Sequence, residues 1–325
     1  MLKQIKKRIL ISLVVAGALY LALTIYADLN NLSKVLSKFS LWLFPLVLIL
    51  SLLNYISRFL KWDYYLLILK VNIKRIDSFS IFMSGLIMSV TPGKMGEILK
   101  AYLVKQISGT PISRTAPIIF AERITDFISL VIIALVGAYV YDYGRNIVLG
   151  VGIFFLLVVL IISNKNIALP IINQFEKIKF LKKYLLNIHA AYESSYLLLR
   201  PLPLFYMTML SFVSWSFECL GYHLILANFD VDLSYLWASF SYAFATIVGA
   251  ISMLPGGLGL TEGSLTYMLI QKSYSKEVAV ASTFIIRAVT LWFAVLVGII
   301  SVSLYQKRFG KITDENFINN NYGEK

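Results

Sequence analysis

The sequence predicts an all-α integral membrane protein, a polytopic helical bundle of two inverted repeats, each carrying a segment broken by proline and glycine. Three observations predict it. Mean hydropathy is +0.76. Only 14% of the 325 residues are charged, against roughly a quarter in a soluble domain, which excludes an ordinary soluble protein and a disordered chain alike. Finally, an eight-residue pattern rich in proline and glycine occurs twice, in the first and second halves of the chain.

The segments follow in order. A basic start, MLKQIKKR, precedes the apolar run Ile9 to Ala27, long enough for a hydrocarbon core of about 30 Å at 1.5 Å per residue. This run is longer than the apolar part of a secretion signal and more spans follow it, so it reads as an uncleaved first crossing. Further runs are Leu41 to Leu60, Pro117 to Tyr141, Ile147 to Ser163, Leu202 to Leu226, Leu236 to Leu254 and Val278 to Tyr305. Phe79 to Val104 is also apolar but is broken at Pro92 and Gly93, giving eight hydrophobic segments in all. Residues 164–200 hold apolar positions at helical spacing among Lys177, Lys179, Lys182 and Lys183, as expected of an amphipathic helix on an anionic leaflet. Residues 306–325 form a short polar tail, and residues 1–305 are expected to be one transmembrane domain with halves near 1–145 and 146–305.

Net charge is +13, yet the lysines and arginines mostly flank apolar runs, as positive-inside topology requires. The expected partner is an anionic membrane surface and no nucleic acid. A lone cysteine, Cys219, excludes an internal disulfide, and two separated histidines, His189 and His223, argue against a metal site. No cofactor is expected.

Residues 89–96 (SVTPGKMG) and 252–259 (SMLPGGLG) share the pattern S-x-x-P-G-x-x-G, followed within three residues by Glu97 or Glu262. Arg123 lies 31 positions after Pro92, and Arg287 lies 32 after Pro255. Proline removes a backbone donor and stops a helix, while glycine permits turns and close approach. Broken segments at corresponding places in two halves point to a transporter's binding site. Reading both as re-entrant leaves six full crossings and puts the basic stretches 3–8, 58–75, 165–200 and 307–311, with both termini, on the cytoplasmic side, and Asp230 and Asp232 outside. Full crossing of both would force the lysine-rich 164–200 stretch outside. The two halves then run in opposite directions through the membrane.

Ionisable side chains at membrane depth are expensive and mark candidate sites. Arg58 and Lys61 end the second run beside Trp62 and Tyr64 and read as interfacial anchors. Glu122 and Asp126 share a helical face, and Arg123 is free to turn towards Glu97. Glu218 and His223 form a candidate proton relay, with a satisfied polar contact as the plainer account. Glu262 and Arg287 repeat the Glu97 and Arg123 pairing and are the strongest candidates, whereas Tyr242, Phe244 and Trp292 read as packing and interface aromatics. Half-helices starting after Pro92-Gly93 and Pro255-Gly256 would aim unpaired N–H groups inward as an anion site, reinforced by Lys94, Arg123 and Arg287.

The SVTPGKMGE segment, the E-R-x-x-D of Glu122, Arg123 and Asp126, the later LPGGLGLTEG and the arginine of IIRAVTLW together resemble the membrane region of lysylphosphatidylglycerol synthases, the flippase-like domain family. The resemblance runs from about Lys6 to Tyr305 and implies a multi-pass lipid translocase. It carries over onto Pro92, Gly93, Gly96, Glu97, Arg123, Pro255, Gly256, Gly257, Gly259, Glu262 and Arg287; Lys94 and Asp126 join the candidate binding set on charge alone. Some members are fused to an aminoacyltransferase, others to a glycosyltransferase. Neither domain is legible here, so those activities are not expected, although a separate enzyme of either kind is a candidate partner. The expected function is therefore movement of an anionic or amphiphilic phospholipid, or a polyprenyl-phosphate-linked lipid, across the cell membrane without catalysis. The alternatives are an integral membrane transferase acting on a lipid phosphate, and an accessory subunit of a lipid-modifying enzyme. No phosphate-binding loop or dinucleotide motif supports the transferase.

Overall fold

The computed structural model describes residues 2–91, 97–174 and 184–310, with side chains from Leu10 onward. Pro92, Gly93, Lys94 and Gly96 lie outside the described residues, as do Lys177, Lys179, Lys182 and Lys183. Among the described residues all regular structure is helical.

Five helices are long and apolar enough to cross a membrane: α3 (Leu43–Ile68), α6 (Ile112–Tyr141), α7 (Arg145–Ser163), α10 (Pro201–Asn228) and the continuous rod Lys276–Phe309. That rod comprises α13 (Lys276–Arg287), a π-helical turn over Ala288–Trp292 and α14 (Phe293–Phe309). A sixth span arises if α1 (Leu2–Tyr26) and α2 (Leu29–Ser37), bent by 95°, count as one. The bend falls at Asp28, whose carboxylate accepts the N–H groups of Asn30 and Asn31 at 3.0 and 3.1 Å and so starts α2. These six coincide with the runs expected to cross fully.

The two broken segments behave differently from the spans. The first comprises α4 (Arg75–Gly85), a 3-10 turn (Leu86–Val90) and α5 (Ile98–Ser108). The second comprises α11 (Tyr235–Ile251), a 3-10 turn (Pro255–Gly257) and α12 (Leu260–Gln271). An 11-residue helix reaches only about 16 Å, half a hydrocarbon core. Each pair folds back on itself, α4 against α5 and α11 against α12. The turns at the two tips touch each other.

The surrounding packing is reciprocal. Helix α6, which follows the first hairpin, packs on α11 of the second, while α14, which follows the second, packs on α4 of the first. Helices α3 and α10 cross directly. Both end in the same turn: Lys70 and Asp230 adopt the left-handed conformation (φ 54° and 55°), and Val71 and Val231 donate back to Leu66 and Leu226 at 3.0 and 3.1 Å. The apolar core accordingly has two main parts, one around the first hairpin with Trp62, Tyr65 and Leu103, the other around the second with Tyr222, Phe240 and Leu265.

The stretch expected to be one amphipathic surface helix differs. It forms α8 (Lys165–Gln174) and α9 (Leu185–Leu198), and α9 packs against α6. Tyr192 and Leu198 are buried, so α9 is a bundle helix in its own right. Helix α7, by contrast, has only 6% of its most apolar stretch buried and leaves Phe154, Leu156, Leu157 and Leu160 exposed, as expected of a rod with one face to lipid.

Candidate functional site

The first charged cluster is assembled from four helices. Asp126 of α6 accepts from Lys61 Nζ at 2.6 Å and from Arg58 Nη2 at 3.0 Å, both on α3. Lys61 also reaches Ser211 Oγ of α10 at 2.7 Å and Thr125 Oγ1 at 3.2 Å. Glu97, at the start of α5, pairs with Arg123 of α6. Lys100, one turn further on, donates to Glu122 at 2.6 Å and lies 3.8 Å from Glu97. Lys100 also stands 4.7 Å from the Trp62 ring centroid. Among the described residues, four cations thus meet three carboxylates in a region where Lys61 and Glu122 are 1% exposed.

Arg58 and Lys61 are therefore not interfacial anchors. Helix α3 continues to Ile68, two turns past the end of the apolar run, so both cations lie inside the bundle and Asp126 neutralises them there. An unpaired charge at that depth costs about 3 kcal/mol on insertion scales, which pairing offsets.

The second cluster lies at the tip of the second hairpin. Glu262 is completely buried. Its Oε1 accepts from Arg287 Nε at 2.7 Å, and its Oε2 accepts the N–H of Gly259 at 2.8 Å. Arg287 Nη2 donates to the carbonyl of Gly256 at 2.5 Å. Gly256 has φ 61°, a conformation that only glycine adopts freely, and this turns its carbonyl towards the arginine. The Tyr20 hydroxyl of α1 is 3.4 Å from Glu262 Oε1 and accepts from Trp292 Nε1 at 2.8 Å. The N-terminus of α12, expected to offer free N–H groups to a guest anion, is thus capped by the chain's own carboxylate.

Glu218 and His223 do not form a relay. Glu218 accepts from Tyr242 Oη at 2.6 Å, whereas His223 faces the ring of Tyr235, centroids 5.8 Å apart. Tyr242 and Trp292, read as packing aromatics, are hydrogen-bonded members of the polar seam. Sequence reasoning also missed Lys100, Tyr20 and Ser211. The signal for Lys100 was its place three residues after Glu97; for Tyr20, 272 positions from Trp292, no local signal exists.

Two cavities adjoin these clusters. One of 110 Å³ is lined by Arg58, Glu218, Tyr242 and Arg287 together with Tyr55 and Ser89. The other, of 490 Å³, is mostly apolar and runs from Arg123 and Asp126 past Phe127 and Phe155 to Met253. They share Trp215, Thr246, Gly249, Ala250, Gly256 and Gly257. Phe154, Ile251, Met253 and Leu254 on the larger cavity's rim are all exposed, so it opens at the apolar surface beside α7.

Fold and seam together define a multi-pass α-helical membrane protein with two helical hairpins meeting at a charged centre. Residues 9–298 match the family described as the lysylphosphatidylglycerol synthase TM region, and the chain belongs to that family. It is 28% identical over 234 residues to a UPF0104 membrane protein of Methanocaldococcus jannaschii, covering 69% of this chain and 95% of that protein. A UPF0104 membrane protein of Pyrococcus horikoshii is 23% identical over 322 residues, 90% of this chain and 95% of its own length. A second one of Methanocaldococcus jannaschii is 22% identical over 324 residues, 93% and 96% of the two chains.

Proposed function

We propose that the protein is a lipid translocase of the cell membrane, both termini cytoplasmic, which moves a phosphate-bearing lipid between leaflets through the seam where the two hairpins meet. The observation that carries this reading is the junction of the two cavities at Trp215, Gly256 and Gly257. A small chamber lined by Arg58 and Arg287 suits a phosphate headgroup, and the apolar cavity opening beside lipid-facing α7 suits the hydrocarbon that must stay in the bilayer. The reciprocal packing of α6 on α11 and α14 on α4 supports two inverted repeats, whose exchange of roles is the usual basis of alternating access.

The reading is tested by leaflet exchange of fluorescent anionic, zwitterionic and cationic phospholipids in sealed proteoliposomes, with an Arg287→Ala variant as control. Exchange above the variant's rate is expected for lipids with an accessible phosphate. A membrane transferase would instead turn over a lipid phosphate in detergent micelles, where no leaflets exist. Activity there, with no exchange in vesicles, overturns the translocase.

A further inference from the structure

Among the described residues few groups face Glu262. Arg287 comes from α13, the Gly259 N–H from its own helix, and the Tyr20 hydroxyl from α1, itself held by Trp292. Across the small cavity that Arg287 lines stand Glu218 with Tyr242, and Arg58 from α3. Arg58 is already committed to Asp126. Both guanidiniums that line the chamber are thus engaged, Arg58 by Asp126 and Arg287 by Glu262 through Nε and by the Gly256 carbonyl through Nη2.

A lipid phosphate that enters the chamber and binds Arg287 therefore competes with Glu262. If Glu262 stayed ionised, Arg287 would share the phosphate with Glu262, and Glu218 lines the same chamber, each of the three side chains being buried. Like charges crowded in that way cannot all remain ionised. A proton on Glu262 removes the conflict, and partners for the neutral acid are in place. Tyr20 Oη accepts from Trp292 and is also a hydrogen-bond neighbour of Arg287, so once Arg287 turns to the phosphate that oxygen is available to accept the new O–H, while the Gly259 N–H still donates to Oε2. The first cluster has no such need. There four cations, Arg58, Lys61, Lys100 and Arg123, face three carboxylates, so among the described residues an arriving anion meets an excess of positive charge.

Resting on the translocase reading, we infer that Glu262 is a proton-binding site: its carboxylate takes up one proton from water when a lipid phosphate replaces it on Arg287, so lipid and proton move together. The sign follows from linkage. The lipid-bound state holds one proton more than the empty state, so affinity for lipid rises as pH falls, by at most about tenfold per pH unit for one coupled proton.

The test uses the full chain in detergent with short-chain phosphatidylglycerol, whose phosphodiester does not titrate near neutrality, in weak buffer with a pH indicator. Wild type is expected to take up protons on binding lipid and to bind more tightly as pH is lowered, by at most about tenfold per pH unit for one linked proton. Glu262→Gln should bind with no proton uptake and no pH slope, while Glu193→Gln, in an exposed pair with Lys165 outside the chamber, should keep both. Binding by wild type without uptake, or the same slope in Glu262→Gln, overturns the proton site. The same preparations in sealed vesicles separate the two claims. Proton uptake without lipid exchange leaves the proton site standing and removes the translocase; exchange indifferent to an imposed pH step does the reverse. No binding of phosphatidylglycerol, or of a polyprenyl phosphate run beside it, overturns both.

Discussion

Asn54 of α3 donates its side-chain amide to the carbonyl of Ser214 of α10 at 2.8 Å, and these residues are 160 positions apart. The same offset relates Lys70 to Asp230, the two left-handed residues that end these helices. When two halves of a chain are related by a two-fold axis, equivalent residues near that axis touch each other. The proposed inverted repeats would place the Asn54 contact near such an axis. The offset also pairs Tyr55 with Trp215 and Arg58 with Glu218, and all four line the small central chamber. At this offset α3 and α10 share a terminal turn and carry opposite charges, Arg58 and Glu218, into the chamber.

Removing one side of a buried ion pair strands the other. Arg287→Ala leaves Glu262 with the Gly259 N–H and the Tyr20 hydroxyl alone, and a loss of about 3–5 kcal/mol is expected, read as a lower midpoint of thermal unfolding in detergent. The double variant Glu262→Gln with Arg287→Met should recover most of that loss while remaining inactive in lipid exchange. A double variant no more stable than Arg287→Ala would mean that the pair is not the source of the cost.

Lys61 offers a parallel test in the first cluster. Lys61→Met leaves Asp126 with Arg58 at 3.0 Å and Arg123 at 3.9 Å, so the carboxylate is not stranded. The expected destabilisation is about 1–3 kcal/mol, smaller than for Arg287→Ala. Asp126→Asn should cost more than Lys61→Met, because it leaves buried Lys61 and part-buried Arg58 without their shared carboxylate. Equal costs for the two would count against this arrangement.

Gly298 sits where α14 crosses the first hairpin, and a methyl group there would collide with the backbone of Ile87. Backbone cannot yield as a flexible side chain does, so Gly298→Ala should push α14 away from the 3-10 turn at a cost of about 1–3 kcal/mol. Gly150→Ala on α7, where nothing lies within 4 Å of an added methyl, should not lower the unfolding midpoint, since alanine is the better helix former. The comparison is a thermal scan of both variants beside wild type.

Topology is open to labelling, since the single native cysteine, Cys219, is fully buried and contributes little background. In intact cells an impermeant maleimide is expected to modify Asp232→Cys and to leave Lys165→Cys unmodified until the membrane is opened. Labelling of Lys165→Cys from outside would overturn the re-entrant assignment of at least one hairpin.

Much of this architecture was legible from the chain. Spans declare themselves by length and hydropathy, and Pro255 with Gly256 declares a break, because a membrane leaves few structures open to an apolar segment. The Glu262–Arg287 pair was legible for a different reason: its pattern occurs twice. Arg58 and Lys61 misled because a cation beside Trp62 at the end of an apolar run looks the same whether the helix stops there or continues to Ile68. Helix α9 misled because apolar residues at helical spacing do not say whether lipid or α6 will cover them. Tyr20 was illegible, since its partners Glu262 and Trp292 are supplied by the far end of the chain.

The π-helical turn at Ala288–Trp292 has a consequence for how the last rod is phased. Such a turn amounts to one extra residue wound into an α-helix, and one residue corresponds to about 100° of rotation. Arg287 before it and Gly298 after it are therefore clocked independently, one to the tip of the second hairpin and the other to Ile87 of the first. Deleting a single residue between them would keep the rod unbroken and its length nearly unchanged. It would nevertheless rotate one contact surface about a quarter of a turn away from its partner, uncoupling the two hairpins without removing a single charge.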